Sequence, residues 1–191
     1  MSLLTKSLAS LIVLASAFGC SAKEYRLDPK WRPIRKIVER SSLPLVANNV
    51  CFVLKDKIYV RDLDWWLKEY PPSKMEFHLI LRHEYVHAVR QRDYVEKNHF
   101  WRKLGMSGPA GWIRKYFSNK EFRLNEEKLA YYAYVKGYLD HRRKIPKEFI
   151  VRIMSSGYFG MIDHHEATQW VEEVVSGRWR PSPGELPQLP R

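Results

Sequence analysis

The sequence predicts a mostly helical α+β fold in a single domain. Two short runs rich in β-branched and aromatic residues, 50–54 and 58–61, are separated by three polar residues, which is typical of a β-hairpin. Longer segments with apolar residues at helical spacing follow. The chain has 191 residues, 45% hydrophobic and 28% charged, so it can bury a core without disulfides. Disorder throughout the chain is therefore excluded.

The N-terminal segment, residues 1–19, has the pattern of a secretory signal peptide, because Lys6 is followed by a short uncharged apolar run. No later stretch is apolar for the ~20 residues that a transmembrane helix needs. Cys20 and the small residue before it resemble the end of a bacterial lipobox, where the cysteine becomes the acylated first residue. Cleavage after Ala22 is the alternative. We expect an exported protein, either periplasmic or attached to a membrane through lipidated Cys20.

Cys20 and Cys51 are the only cysteines in the chain. Cys51 lies in the first strand-like run, where a buried, unreactive thiol is expected. A disulfide between the two cysteines is the alternative in an oxidising compartment. In neither case do the cysteines have the pattern of metal ligands.

The chain is strongly basic, with a net charge of +12, and loss of residues 1–19 would remove only the charge of Lys6. Such a field favours anionic partners, for example an anionic component of the cell envelope. The basic residues are scattered rather than gathered on one periodic face, and no recognition motif accompanies them. Specific nucleic-acid binding is therefore not expected, and a solvated basic surface is the simplest interpretation.

Before the hairpin, residues 30–40 are predicted to form a short helix with Pro33 in its first turn. After it, two consecutive prolines at 71–72 interrupt the chain before a long helix predicted over 74–93. A Gly/Pro-rich break at 104–111 is expected to form a surface loop.

A second long helix is predicted over 118–141, with Ser118 as its N-cap. The last helix is predicted to begin after Asp163, an N-cap residue with Glu166 three positions later. The proline-rich segment 179–191 is predicted to be an extended tail without core contacts. The domain itself is thus expected to span residues 23–178.

The first long helix carries the sequence HEYVH, in which His83, Glu84 and His87 form an HExxH motif. Residues four apart lie on one helix face, so the two histidines can direct their imidazoles at one metal ion. Glu84 lies about 100° around the helix from His83. Its carboxylate can reach a water on the metal, which is the position of a general base. An ordinary amphipathic helix with an accidental motif is the alternative.

Catalytic zinc usually takes three protein ligands and keeps a fourth position for water. Arg90 and Asp93 stand where the metzincin pattern has glycine and histidine, which excludes that class. The second long helix offers Glu127, three residues before Ala130, a small residue that would let the two helices approach closely. We predict Glu127 as the third ligand, with Glu126 as the competing choice.

The segments HEYVHAVRQ and RLNEEKLAYYAY resemble the gluzincin metallopeptidases, particularly small bacterial members with a glutamine four residues after the second histidine and a downstream Glu-x-x-Ala-Tyr. The matching positions are His83, Glu84, His87, Gln91, Glu127, Ala130 and Tyr131. The resemblance covers roughly residues 43–140. It implies a zincin-like fold in which the hairpin precedes the metal-binding helix.

The resemblance, together with the chemistry of the motif, implies a zinc-dependent peptidase acting on a protein or peptide substrate. Zn²⁺ would be held by His83, His87 and Glu127, and would activate a water molecule. Glu84 would be the catalytic general base that takes the proton of this water and delivers it to the leaving amine.

One position departs from the resemblance. The thermolysin-like pattern has an aspartate four residues after the third ligand, where this chain has Tyr131. A residue that orients the first histidine must then come from Asp93, Asp140 or Asp163. The oxyanion would be stabilised by a tyrosine or histidine. The candidates are Tyr131, Tyr134, Tyr138, His99, His164 and His165, all of which also have ordinary packing or surface roles.

The competing function is that of an exported, non-catalytic binding protein or envelope lipoprotein with a structural metal or none. A structural zinc fills its fourth position with a protein ligand, so a fourth ligand beside the site would favour this alternative.

Overall fold

The computed structural model describes residues 23–40, 51–97, 110–156 and 161–190. Within these ranges helices predominate beside a small sheet, so the predicted α+β class is confirmed. The strands are β1 (Glu24–Arg26), β2 (Lys36–Glu39), β3 (Cys51–Leu54) and β4 (Lys57–Val60). The helices are α1 (Leu63–Glu69), α2 (Met75–Lys97), α3 (Ala110–Ser118), α4 (Lys120–Asp140), α5 (Lys147–Ser156) and α6 (His164–Val175).

The four strands form one sheet in the order β1-β2-β4-β3, so that β3 lies at an edge. Strands β3 and β4 are the predicted hairpin, paired antiparallel with Val53 opposite Ile58. Lys55 in the connecting turn has a φ of 59°, as tight hairpin turns require. Strand β2 runs parallel to β4, with Ile37 also opposite Ile58. The hairpin prediction is confirmed, and β3 is left with one backbone edge directed towards the helices.

The prediction of a helix over residues 30–40 is wrong. The chain makes a single 3₁₀ turn, Pro29–Trp31, and then enters strand β2. Arg32 has φ −55° and ψ 132°, the extended conformation that a following proline favours, and this prevents the turn from continuing as a helix. The β-branched Ile37 is fully buried in the sheet, where such residues pack well.

The two long helices form as predicted, with shifted ends. Helix α2 continues to Lys97, beyond the predicted end at 93. Helix α4 is capped by Asn119, whose side chain accepts a hydrogen bond from the Phe122 amide, rather than by Ser118. Ser118 is instead the last residue of α3, which also contains Gly111 from the predicted loop. Serine and asparagine are comparable N-caps, so the sequence alone does not distinguish these two neighbours.

The hydrophobic core of the described residues consists of three clusters, and α2 contributes to all of them. Leu79 belongs to the cluster between α2, α4, α5 and α6. Leu81 belongs to the cluster that joins the sheet, α1 and α2. Val86 packs on the facing side of α4 in the third cluster. Helix α2 is therefore buried on several sides, and the polar residues of its HExxH motif lie in the interior.

The C-terminal part of the chain agrees with the sequence prediction at α6 and differs from it in the tail. Asp163 and Glu166 form the predicted capping box of α6. The tail is extended, as predicted, but the prediction that it lacks core contacts is wrong, because Trp179, Leu186 and Leu189 pack against the third cluster. Proline-rich composition predicts an extended backbone and says little about the leucines between the prolines.

None of the helices in the described ranges is long and apolar enough to cross a bilayer. The predicted signal segment and Cys20 lie outside the described residues, as does His99.

Candidate metal centre

Three side chains from two helices converge between α2 and α4. The Nε2 atoms of His83 and His87 lie 3.2 Å apart. Carboxylate oxygens of Glu127 lie 3.6 Å from Nε2 of His83 and 3.3 Å from Nε2 of His87. His87 and Glu127 are less than a tenth exposed. These residues form a cluster of the size and chemistry that can hold a metal ion.

Close packing of α2 against α4 makes this convergence feasible. Ala130, one turn after Glu127, is fully buried in the third cluster, as expected for a small residue at a helix contact. Further along, Gly137 approaches Leu79 and Arg82 so closely that a β-carbon would overlap the Leu79 side chain. The small residues of α4 thus bring its backbone near the helix that carries the histidines.

The three side chains of the cluster interact through charge and through the proton between His87 and Glu127. Burial lowers the pKa of His83 to about 3, so this ring is neutral at pH 7. Burial alone would also lower the pKa of His87, but the Glu127 carboxylate outweighs it and raises the pKa to about 9. Burial would raise the pKa of Glu127, yet His87 lowers it to about 2. The charged pair of His87 and Glu127 is arranged so that a cation can replace the proton of His87.

Glu84 lies beside this cluster and is anchored by the edge strand β3. The thiol of Cys51 donates a hydrogen bond to Oε1 of Glu84 over 3.4 Å, and the Val53 amide also bonds the carboxylate. Oε2 is buried and has no hydrogen-bond partner among the described residues. Burial raises the pKa of Glu84 to about 7. One oxygen is therefore fixed by the protein while the other remains available to exchange a proton.

Cys51 itself is a free thiol, in agreement with the expectation of an unreactive cysteine. Burial, together with the charge of Glu84, raises its pKa well above the usual value, so that the thiolate is disfavoured. Its position in a strand, β3, was predicted, but its contact with Glu84 was not.

Gln91, one turn after His87, fixes β3 against α2. Its side-chain amide donates to the Val53 carbonyl at 2.9 Å and its oxygen accepts from the Lys55 amide at 3.3 Å. The glutamine thus satisfies the buried Val53 carbonyl on the outer edge of β3 and also binds the Lys55 amide in the following turn. This contact gives the glutamine of the HEYVHAVRQ segment a positioning role.

Helix α3 supplies two site residues that the sequence analysis missed. The hydroxyl of Tyr116 donates a hydrogen bond to Oε1 of Glu127. Trp112 is buried, stacks on Tyr116 at 4.8 Å and contacts the His87 ring edge-to-face at 5.9 Å. Trp112 and Tyr116 are four apart and share a helix face, which is the only signal for them in the sequence. Nothing in that spacing indicates that the face is turned towards the site.

Glu126 and Glu127 occupy different environments, although they are adjacent. Glu126 forms a two-pronged ion pair with Arg90, with N–O distances of 2.6 and 2.7 Å, and is 1% exposed. It contacts neither histidine of the cluster. The structure therefore brings the predicted ligand Glu127, and not its competitor, to the two histidines.

The aspartates considered for orienting the first histidine lie elsewhere. Asp140 bonds Arg82 and Lys136, Asp93 pairs with Arg92, and Asp163 caps α6. Nδ1 of His87 is buried and has no hydrogen-bond partner among the described residues. The three aspartates that could orient His83 thus have other partners, and none of them replaces the aspartate that the thermolysin-like pattern has at position 131.

Of the candidate oxyanion donors, Tyr131 is nearest to the cluster, with its ring 4.5 Å from that of His83. Tyr134 and Tyr138 contact each other through their hydroxyls at 3.4 Å. His164 and His165 are exposed in the first turn of α6. The geometry thus favours Tyr131 among the candidates that the structure describes.

No protein-family model matches this chain. Curated proteins and solved structures likewise give no match.

Proposed function

We propose that this protein is a zinc-dependent peptidase of the gluzincin type, with a zincin-like domain. The observation that carries the proposal is the convergence of His83, His87 and Glu127 beside Glu84, the glutamate of the HExxH motif. A structural or accidental motif would not require a buried carboxylate with an unpartnered oxygen next to the cluster.

The donor set fits zinc. In a tetrahedral site with bonds of 2.0–2.1 Å, ligand atoms are separated by about 3.3 Å. The separations of 3.2, 3.3 and 3.6 Å in this cluster agree with that spacing. Two imidazoles and one carboxylate are also the ligand set of a catalytic zinc that keeps its fourth position for water. A fourth protein ligand would favour a structural metal, and the described residues offer a cluster of three.

A bound zinc ion supplies Lewis acidity, which acidifies a water molecule and polarises a carbonyl group. Oε2 of Glu84 accepts the proton of the attacking water and later delivers it to the nitrogen of the leaving amine. Cys51 and the Val53 amide hold Glu84 in place during these transfers. Tyr116 orients Glu127, and Tyr131 is the nearest candidate to donate a hydrogen bond to the oxyanion.

The substrate class is protein or peptide, and the proposed location is outside the cytoplasm. The apolar segment at 1–19 supports export, either as a periplasmic protein or as a lipoprotein attached at Cys20. The basic composition supports interaction with an anionic component of the cell envelope.

The test combines metal content with hydrolysis of a fluorescently labelled unfolded protein and a peptide mixture. We expect about one zinc per wild-type chain, zinc loss in Glu127→Ala, and retained zinc without hydrolysis in Glu84→Gln. Glu76→Gln, on the same helix and outside the cluster, is the matched control and should behave as the wild type.

Each result distinguishes the peptidase from the non-catalytic alternative. Zinc in the wild-type protein without hydrolysis of either substrate would favour a structural metal in a binding protein. Hydrolysis by Glu84→Gln at the wild-type rate would exclude the proposed general base. A chain that binds no zinc even when the metal is supplied would make the HExxH sequence an accidental motif.

A further inference from the structure

A basic pocket lies at the N-terminal end of α2, beside the C-terminal end of α4 and the 3₁₀ turn. Its volume is about 490 Å³, within the range of small-molecule sites. Five basic or imidazole side chains line it: Lys30, His78, Arg82, His141 and Arg143. No acidic side chain is among the described residues that line it. The pocket shares no residue with the metal cluster, so it is a separate feature of the molecule.

The cations of the pocket are only partly neutralised. Arg82 pairs with Asp140 at 3.2 Å, but Asp140 also pairs with Lys136 at 3.0 Å. No carboxylate in the described part of the chain lies within ion-pairing distance of Lys30 or Arg143. The Asp140 carboxylate is thus shared between Arg82 and Lys136, and the residues that line the pocket carry an excess of positive charge.

The pKa of His78 is lowered by its surroundings in the pocket. Burial lowers the pKa of this histidine, and the charges of Lys30, Arg82 and His141 lower it further. The hydrogen bond to the Pro72 carbonyl opposes these effects without cancelling them. Burial is the largest cause of this shift, and the charges of Lys30 and Arg82, from different parts of the chain, act in the same direction. An anion placed there would relieve this repulsion.

The rest of the wall is apolar. Trp31 is buried and stacks on the His78 ring at 6.2 Å with an interplanar angle of 17°. Met75 and Leu79 continue this wall along α2. A ligand that fills the pocket would therefore present an anionic group to the cations and a less polar part to the tryptophan side.

We propose that this pocket binds a phosphate group carried by an organic molecule, such as a phosphate ester. Two guanidinium groups and an ammonium group match a phosphate, which has up to two negative charges and several acceptor oxygens, better than they match a singly charged carboxylate. The proposal does not depend on the proposed peptidase activity, because the pocket and the metal cluster have no residue in common.

The experiment uses phenyl phosphate as a soluble probe and benzyl alcohol as its neutral counterpart, measured by isothermal titration calorimetry. The salt concentration is about 0.15 M, which screens long-range attraction to the basic surface. Vesicles of phosphatidic acid and of phosphatidylcholine test a lipid source of the same phosphate group by co-sedimentation. The variants are Arg143→Gln and the matched control Arg152→Gln, an exposed arginine of α5 outside the pocket.

We expect saturable binding of one probe per chain, about tenfold weaker in Arg143→Gln because a charge-assisted hydrogen bond is lost, and unchanged in Arg152→Gln. Circular dichroism and thermal unfolding check that the variants fold, and Lys30→Gln replaces Arg143→Gln if it does not. Binding of phenyl phosphate supports a soluble phosphate ester. Binding of phosphatidic acid vesicles alone, with the same dependence on Arg143, supports a lipid headgroup.

The proposal is overturned if neither the probe nor the phosphatidic acid vesicles bind. It is also overturned if Arg143→Gln binds as well as the wild type, or if Arg152→Gln weakens binding equally, since that would reflect net charge alone.

Discussion

At the residue scale, the positions of Glu126 and Glu127 follow from their 100° separation around α4. Glu127 faces α2 at the level of His83 and His87, whereas Glu126 faces Arg90, which also donates to the Glu185 carbonyl at 2.9 Å. Both carboxylates are buried with opposite charges beside them, which is the condition for burying an ionised group at acceptable cost. Glu127 thus contacts the two histidines, and Glu126, through Arg90, links α2, α4 and the tail.

Tyr116 is predicted to set the metal affinity through Glu127. Tyr116→Phe removes the hydroxyl that donates to Oε1 of Glu127 and keeps the ring that stacks on Trp112. Loss of such a supporting contact typically lowers metal affinity about 10- to 100-fold. Competition for zinc with a chelator measures the change.

Tyr132→Phe is the control, because Tyr132 contacts Trp179 and lies away from the cluster. Equal zinc affinities of Tyr116→Phe and the wild type would show that Glu127 is held without the tyrosine.

At the scale of elements, the crossing of α2 and α4 depends on the absence of a side chain at Gly137. In Gly137→Ala the new β-carbon would overlap the buried Leu79 side chain, so either this side chain must repack or the helices must move apart. We expect the free energy of unfolding to fall by about 1–3 kcal/mol, although alanine has the higher helix propensity. Urea denaturation followed by circular dichroism measures this.

The control on the same helix is Asn125→Ala, at an exposed position where only helix propensity changes. A gain in stability for both variants would mean that the crossing tolerates a methyl group and that Leu79 can repack.

The elements also show where local sequence patterns are informative. The hairpin and the long helices have strong periodicity and form as predicted, because their apolar faces match the surfaces that bury them. The segment 30–40 combines a proline with β-branched residues, and the choice between helix and strand is made by pairing of β2 with β4, which is distant in sequence. The N-cap of α4 lies one residue later than predicted, because Ser118 is the last residue of α3.

At the scale of the whole molecule, the tail is predicted to contribute to stability. Leu186 and Leu189 pack against the cluster that contains Val86 of α2, the helix that carries His83 and His87. Replacing both leucines by alanine should lower the free energy of unfolding by about 2 kcal/mol, because half-buried leucines lose apolar contact area. Thermal and urea unfolding of the purified protein measure the effect.

Leu139→Ala is the matched control, since Leu139 is 44% exposed and should change stability little. If the double variant is as stable as the wild type, the contacts of the tail with the third cluster do not contribute to stability.

The sequence by itself determined the fold class, the hairpin, the long helices and the placement of His83, Glu84 and His87 on one helix. These features depend on residues a few positions apart, whose geometry is fixed by the helical and strand periods. The tertiary structure decided what depends on distant residues: Glu127 rather than Glu126 at the histidines, Tyr116 and Cys51 beside the site, the packed tail, and the basic pocket. Each of these arises where separate elements meet, and one element's pattern does not specify which neighbour it will face.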